Sequence, residues 1–221
     1  MRSLRFTLAA AFLFANAAIA SPTVPKDGVE YATLATPQPV TAVGKKVEVI
    51  EFFMYHCPHC NAFEPDLEKW VKKQGDKITF RRVHFPSRGA NDPEAHLFLT
   101  LEAMGKSEEM QPKVFKAFHV DHIRLTQDDA IIDWVGKNGI DRNKFMNMWG
   151  SFGVTAKLRG LPQVIDNYKV QFVPTIVIDG KYQTSPSMAQ ESLQSTNEPQ
   201  IFGATLQIMD ALVAKAAAAK K

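Results

Sequence analysis

The chain contains two cysteines, and they stand three residues apart in the run Cys57-Pro58-His59-Cys60. Thiols this close cannot staple a fold. A disulfide between them closes so short a loop that it removes little entropy from the unfolded chain. The pair is therefore read as a reagent. Its flanks constrain the fold, because the periodicity changes across it. Upstream, Lys46-Val-Glu-Val-Ile-Glu-Phe-Phe-Met-Tyr55 is rich in β-branched and aromatic residues and predicts a strand. Downstream, Phe63, Leu67, Trp70 and Val71 recur at helical spacing. Cys57 falls at the helix N-cap and Pro58 in the first turn, where a missing N–H costs nothing. Free backbone N–H groups and the positive end of the helix dipole then face the Cys57 sulfur and favour its thiolate. A protonated His59 would add positive charge beside it. Stabilising the thiolate stabilises the reduced form and makes the disulfide a better oxidant.

The first twenty residues have the layout of a secretory signal peptide. Arg2 and Arg5 form a basic start, Phe6 to Phe14 a short apolar core, and Ala18-Ile19-Ala20 a cleavage signal before Ser21. The apolar run is too short for a bilayer span, and no later segment is read as long and apolar enough for one. Export to the periplasm is expected, where disulfides form and persist. The full chain has 26 basic and 23 acidic residues. Without Arg2 and Arg5 the net charge is +1, which gives no case for nucleic acid or an acidic membrane surface as partner.

Residues 21–28 are Pro-rich and read as a loose arm, followed by a short strand at 29–34 and a loop at 36–44. The strand 46–55, the helix 57–73 and a further strand at 78–83 come next. A helical stretch follows. Leu97, Leu101 and Met104 line one side of a helix at 94–104 that stops at Gly105, and a second helix covers 109–118. Thr126-x-x-Asp129 resembles a capping box, and Asp141 can cap another helix. Residues 151–168 are read as helix broken near Gly160-Leu-Pro162. Phe172 to Ile178 is a strand, Asp179-Gly180 a hairpin turn into 181–184, and 200–218 a final helix. The fold class is α/β, with the reactive pair at the carboxyl end of a sheet strand, where such sheets place reactive groups.

Two stretches carry a resemblance: Glu51-Phe-Phe-Met-Tyr-His-Cys57-Pro-His-Cys60-Asn-Ala-Phe-Glu64 and, much later, Val173-Pro174-Thr175. The chain resembles the DsbA-type thiol–disulfide oxidoreductases. That implies a thioredoxin fold, at about 29–85 and 169–219, interrupted by a helical insertion at about 90–168, the whole covering 21–220. It implies that Cys57, Cys60, Pro58 and His59 form the reactive motif and that Val173–Pro174 is a cis bond bordering it, exposing the Val173 backbone to a substrate strand. It further implies that the Cys57–Cys60 disulfide passes to newly exported proteins without metal or organic cofactor. A quinone-linked membrane protein of the DsbB type would then reoxidise the enzyme, which is expected to be a monomer.

Three residues are expected to tune the pair. Glu51 alternates with Val47, Val49, Phe53 and Tyr55, and a carboxyl on an apolar face has a raised pKa. It could relay a proton to Cys60, or pair with Arg81 or Arg82. Relatives often pair an acid at the position of Glu64 with a lysine on the next strand; here that strand reads Phe80-Arg81-Arg82, so an arginine is the candidate partner. His56 could add charge near Cys57 or contact substrate, or be a plain loop residue. His84, His96, His119 and His122 are expected at the surface or as satisfied core positions.

Other readings remain. A disulfide reductase or isomerase shares this fold, although no separate dimerisation segment lies between Ser21 and the first strand. A copper-binding thioredoxin-fold protein could use both cysteines and a distant histidine. Structural zinc lacks a second ligand pair at finger spacing. Covalent haem is excluded because Asn61 stands where its attachment signature needs histidine.

Overall fold

The computed structural model describes residues 24–220, so the signal-peptide segment lies outside the described residues. One mixed sheet organises the chain, in the order β1-β5-β4-β2-β3. Its axis is β2 (Val47–Phe53), every residue of which is buried. β2 runs parallel to β3 (Ile78–His84), in register from Val47 opposite Ile78 to Phe53 opposite His84. The crossover between them is α1 (Pro58–Gln74). On its other side β2 pairs antiparallel with β4 (Thr175–Ile178), which forms a hairpin with β5 (Tyr182–Thr184). The edge strand β1 (Ala32–Thr33) is only two residues long. Glu30, expected within that strand, instead turns its carboxylate to Lys26 N and Ser192 Oγ.

The hairpin turn is as the sequence expects. Asp179 and Gly180 both take left-handed φ, 53° and 61°, and Lys181 N closes on Ile178 O at 3.1 Å. Gly180 is required for a second reason. A Cβ there would meet Gln38 O at 2.2 Å, because the 36–44 loop lies against the turn.

Between β3 and β4 the chain forms five helices: α2 (Pro93–Ala103), α3 (Ser107–His119), α4 (Asp128–Lys137), α5 (Arg142–Trp149) and α6 (Phe152–Asn167). After β5 come α7 (Pro186–Leu193) and α8 (Glu198–Ala219). Two cores result. On one face Val47, Val49, Ile176 and Ile178 pack with Phe63, Leu67 and Trp70 of α1 and with Ile208 and Leu212 of α8. On the other, Ile50, Phe52 and Val177 pack with the helical insertion through Leu97, Leu101, Phe115 and Leu161. A strand covered on both faces needs apolar residues on both, which is why β2 reads as an almost continuous apolar run.

Several expectations are corrected. Phe53 and Tyr55 do not share the core of Val47 and Val49. β2 ends at Phe53, the chain turns, and both rings join Phe98 and Phe115 of the insertion. α6 is unbroken at Pro162, because burial of Val154, Leu158 and Leu161 on one stripe outweighs the lost backbone bond. The Thr126–Asp129 capping box does not form, since Gln127 is the N-cap and caps with no side-chain bond. Asp141 does cap α5, accepting from Lys144 N. α7 was not expected, although Ser185 at its N-cap and Pro186 after it are a start signal. Finally, α8 does have the length and composition of a membrane span, contrary to the sequence reading; half of its apolar window is buried against the sheet.

Candidate active site

The site is built where β2 gives way to α1. Cys57 has extended backbone (φ −76°, ψ 116°) and is the N-cap of α1, with Pro58 in its first turn. Its Sγ accepts from Cys60 N at 3.3 Å. It also lies 3.6 Å from Val173 O, to which the thiol can donate. The Val173–Pro174 bond is cis. The structure thus brings together Cys57, Cys60 and the Val173–Pro174 loop from opposite ends of the chain.

The two sulfurs have opposite electrostatics. The Cys57 pKa is lowered to about 6, chiefly because the Cys60 thiol donates to its thiolate. Burial opposes this; the backbone N–H groups of Cys60 and His59 and the charge of His59 add to it. The expected helix-end effect is present, but the largest contribution comes from the partner thiol, which the sequence argument missed. Cys60 is fully buried, and burial together with the neighbouring Cys57 and Glu51 charges pushes its thiol far up.

Beneath Cys60 lies a buried charge cluster. Glu51 accepts a hydrogen bond from Arg82 Nε at 3.0 Å. Arg82 also donates from Nη2 to Glu64 at 2.7 Å and from Nη1 to Glu108 of α3 at 2.8 Å. Of the two alternatives weighed for Glu51 the pairing is present, with Arg82, and the carboxyl is buried with a raised pKa as its apolar flanks lead one to expect. Burial outweighs the attraction of Arg82. The same balance pushes Glu64 up to about 8, with the Glu51 charge assisting. The partner of Glu64 is Arg82. Arg81 instead reaches Glu48, at 3.4 Å. Glu108 escaped the sequence reading because nothing local links α3 to β3.

The histidines separate into roles. His59 is exposed and its Nδ1 stands 3.3 Å from Glu198 at the start of α8. His56 places Nδ1 2.8 Å from Glu94 of α2, and that carboxylate raises its pKa. His84 is fully buried and held down to about 4, so its neutral Nε2 can accept from Tyr55 N at 3.3 Å. His119 donates from Nε2 to Tyr55 O at 2.8 Å. Two histidines thus clamp the backbone two residues before Cys57. His96 stacks on Trp149, and His122 is exposed. Among the described residues no group of three or more His, Cys, Asp and Glu side chains is disposed to hold a metal ion. A cavity of about 400 Å³ borders the motif, lined by His59, Val173, Pro174, Pro186 and Phe202.

A mixed sheet of this order with an N-capping cysteine, a buried partner thiol and a cis-proline loop beside them defines a thioredoxin-fold dithiol–disulfide oxidoreductase. Residues 44–196 match the family model described as Thioredoxin. The thiol:disulfide interchange protein DsbA of Burkholderia cepacia is 42% identical over 175 residues, 79% of this chain and 82% of that one. The DsbA of Pseudomonas aeruginosa is 35% identical with full coverage of both chains. The crystal structure of Pseudomonas aeruginosa DsbA superposes with a TM-score of 0.77 at 34% identity, covering 88% of this chain and 96% of that one. The chain belongs to the DsbA family of thiol:disulfide interchange proteins, and its fold is a thioredoxin fold with an inserted helical domain.

Proposed function

We propose that this disulfide oxidoreductase works as a dithiol oxidase in the periplasm, donating the Cys57–Cys60 disulfide to newly exported proteins. A client thiolate attacks Cys57 Sγ. The Cys57–Cys60 bond breaks, and Cys60 leaves as a thiolate that takes up a proton. A second client thiolate then attacks the client sulfur of the mixed disulfide, and Cys57 departs as a thiolate. The client loses two electrons and the enzyme gains them. No metal or organic cofactor enters the cycle. A quinone-linked membrane protein of the DsbB type restores the disulfide.

The observation that carries this reading is the asymmetry of the pair. Cys57 is a good leaving group at pH 7 because its pKa is about 6. The high pKa of Cys60 makes it the sulfur that needs a proton, and this reading assigns the donation to Glu51, a buried carboxyl with a raised pKa whose charge Cys60 feels. Val173 O borders Cys57, so an extended client can pair with that backbone while its cysteine meets the sulfur. The test is equilibration with a glutathione buffer together with oxidation of a reduced, unfolded two-cysteine client. Oxidase function requires a disulfide more readily reduced than glutathione's and rapid oxidation of the client. A disulfide harder to reduce than glutathione's would make the protein a reductase.

A further inference from the structure

A second cavity meets the motif from its other end. The 400 Å³ cavity touches His59, Val173 and Pro174. The second, of about 580 Å³, is lined by His56, whose Cα lies about 3.8 Å from that of Cys57. Its character differs. The titratable side chains on its wall are His56, Arg88, Glu94, His119, His122 and Arg124. Glu94, the one carboxylate among them, is already engaged by His56 at 2.8 Å. Asp121, close by in sequence, is taken by Lys116 at 2.5 Å. The Arg88 guanidinium makes only a 3.4 Å contact with Thr126 O, its backbone N–H alone reaching Asp92, and among the described residues neither Arg88 nor Arg124 forms an ion pair. Arg88 also borders a shallower depression carrying Asp128 and Asp129, which leaves Arg124 the less compensated charge. The cavity is thus a concave wall with two guanidiniums lacking carboxylate partners, one residue from the reactive cysteine.

We propose that this cavity receives a carboxylate of the client polypeptide, from an aspartate or glutamate close in sequence to the cysteine that attacks Cys57. This inference rests on the reading of Cys57–Cys60 as a disulfide donor. Guanidinium forks match carboxylates, and a partly enclosed wall weakens solvent screening of the pair. An extended client advances about 3.3 Å per residue, so residues one to three positions from its cysteine lie about 3 to 10 Å from it, on the side of the motif where His56 opens onto the cavity. The charge contributes to docking and leaves the sulfur exchange itself unaltered.

The test uses single-cysteine peptides with Glu, Gln or Lys scanned over three positions either side of the cysteine, reacted with the oxidised protein. The readout is the rate of mixed-disulfide formation, compared between wild type and Arg88→Ala/Arg124→Ala. The Glu/Gln rate ratio in wild type, divided by the same ratio in the variant, cancels the effect of an acidic neighbour on the peptide's own thiol. At low salt and at the best position this quotient is expected to be about fivefold, from two partly exposed pairs of about 0.5 kcal/mol each. It should fall towards one in high salt. Arg124→Glu should transfer the preference from the Glu peptide to the Lys peptide, with a wild-type urea-unfolding midpoint reporting the intact fold. A quotient of one at every position, or no transfer of preference in Arg124→Glu, overturns the assignment. Failure of every peptide, Gln included, to react with the wild-type disulfide would instead bring down the donor reading and this inference with it.

Discussion

Reduction should make this protein more stable, by an amount that grows with pH up to the alkaline range and then shrinks. The perturbation is pH itself, and the oxidised protein is the internal control because it has no thiol at the site. In the reduced form Cys57 has a pKa of about 6 against an ordinary value of 9.0. The folded value is depressed, so the stabilisation is present above the unfolded pKa and is lost as pH falls through about 6. Three pKa units convert to about 4 kcal/mol; Cys57 itself is buried, but solvent beside it, at the exposed His59, screens this to roughly 2 kcal/mol. Cys60 has the opposite sign. Its folded pKa is raised, so the reduced fold loses stability once pH passes the unfolded thiol's pKa near 9. The carboxylates and histidines are present in both redox states and largely cancel in the difference. The assay is urea unfolding of both forms between about pH 5.5 and 10. The gap, reduced minus oxidised, should widen by about 2 kcal/mol between about pH 6 and 8.5, then narrow. A gap that is flat or falling over that first interval would refute the thiolate argument, whatever its absolute size.

Other outcomes follow from the same site. Arg82→Met should destabilise the protein by about 3–5 kcal/mol near pH 9, above the Glu64 pKa of about 8, because buried carboxylates then lose their shared cation; urea unfolding at about pH 6, where Glu64 is protonated, should show a smaller loss. Glu51→Gln should slow reduction of the disulfide by dithiothreitol by on the order of a hundredfold if its carboxyl supplies the proton to Cys60, while titration of Cys57 by thiolate absorbance stays near its wild-type midpoint. Cys60→Ser should accumulate a client mixed disulfide at Cys57, seen as a mass adduct that reductant removes, and Cys57→Ser should form none. His59→Ala should raise the Cys57 midpoint only modestly, since the His59 charge lowers it less than the Cys60 thiol and the backbone N–H groups do; a return to the ordinary cysteine range would show that the order is wrong.

What could be read in the sequence was whatever depends on neighbours in the chain. The change from period two to helical spacing around Cys57 located the site, and Pro58 placed its sulfur at a helix start. Asp179-Gly180 announced its hairpin because left-handed φ at two successive residues favours those side chains. The partner of Glu64 could be narrowed to an arginine on the next strand but no further. Successive residues of β3 face opposite ways, so Arg82 faces the Glu51–Glu64 side while Arg81 reaches Glu48 and Tyr168. Glu94, His84, His119 and Glu108 were out of reach. Each comes to the site through the packing of the insertion or the edge strand, and no local pattern encodes that packing. α6 was misread because Gly160 and Pro162 are strong local signals, overridden by burial along one stripe of the helix.

The chemistry of the pair follows from its place on α1 more than from any single tuning residue. Cys57 and Cys60 are three residues apart on one helix, and one turn separates their environments. At the N-cap, Cys57 meets the unpaired N–H groups that every helix must present, and the partner thiol points at it. One turn on, Cys60 sits fully buried near the Glu51 charge, where the loss of water outweighs the one backbone contact, from Met54, that favours its thiolate. A proton shared between the sulfurs therefore resides on Cys60, and donating it to Cys57 is itself the largest stabilisation of the Cys57 thiolate. Loss of the Cys60 thiol should then raise the Cys57 pKa more than loss of the His59 imidazole does. In a fold that places a CxxC pair across a helix start, the second cysteine is a main determinant of the first one's acidity. The two intervening residues adjust a value that the helix geometry has already lowered.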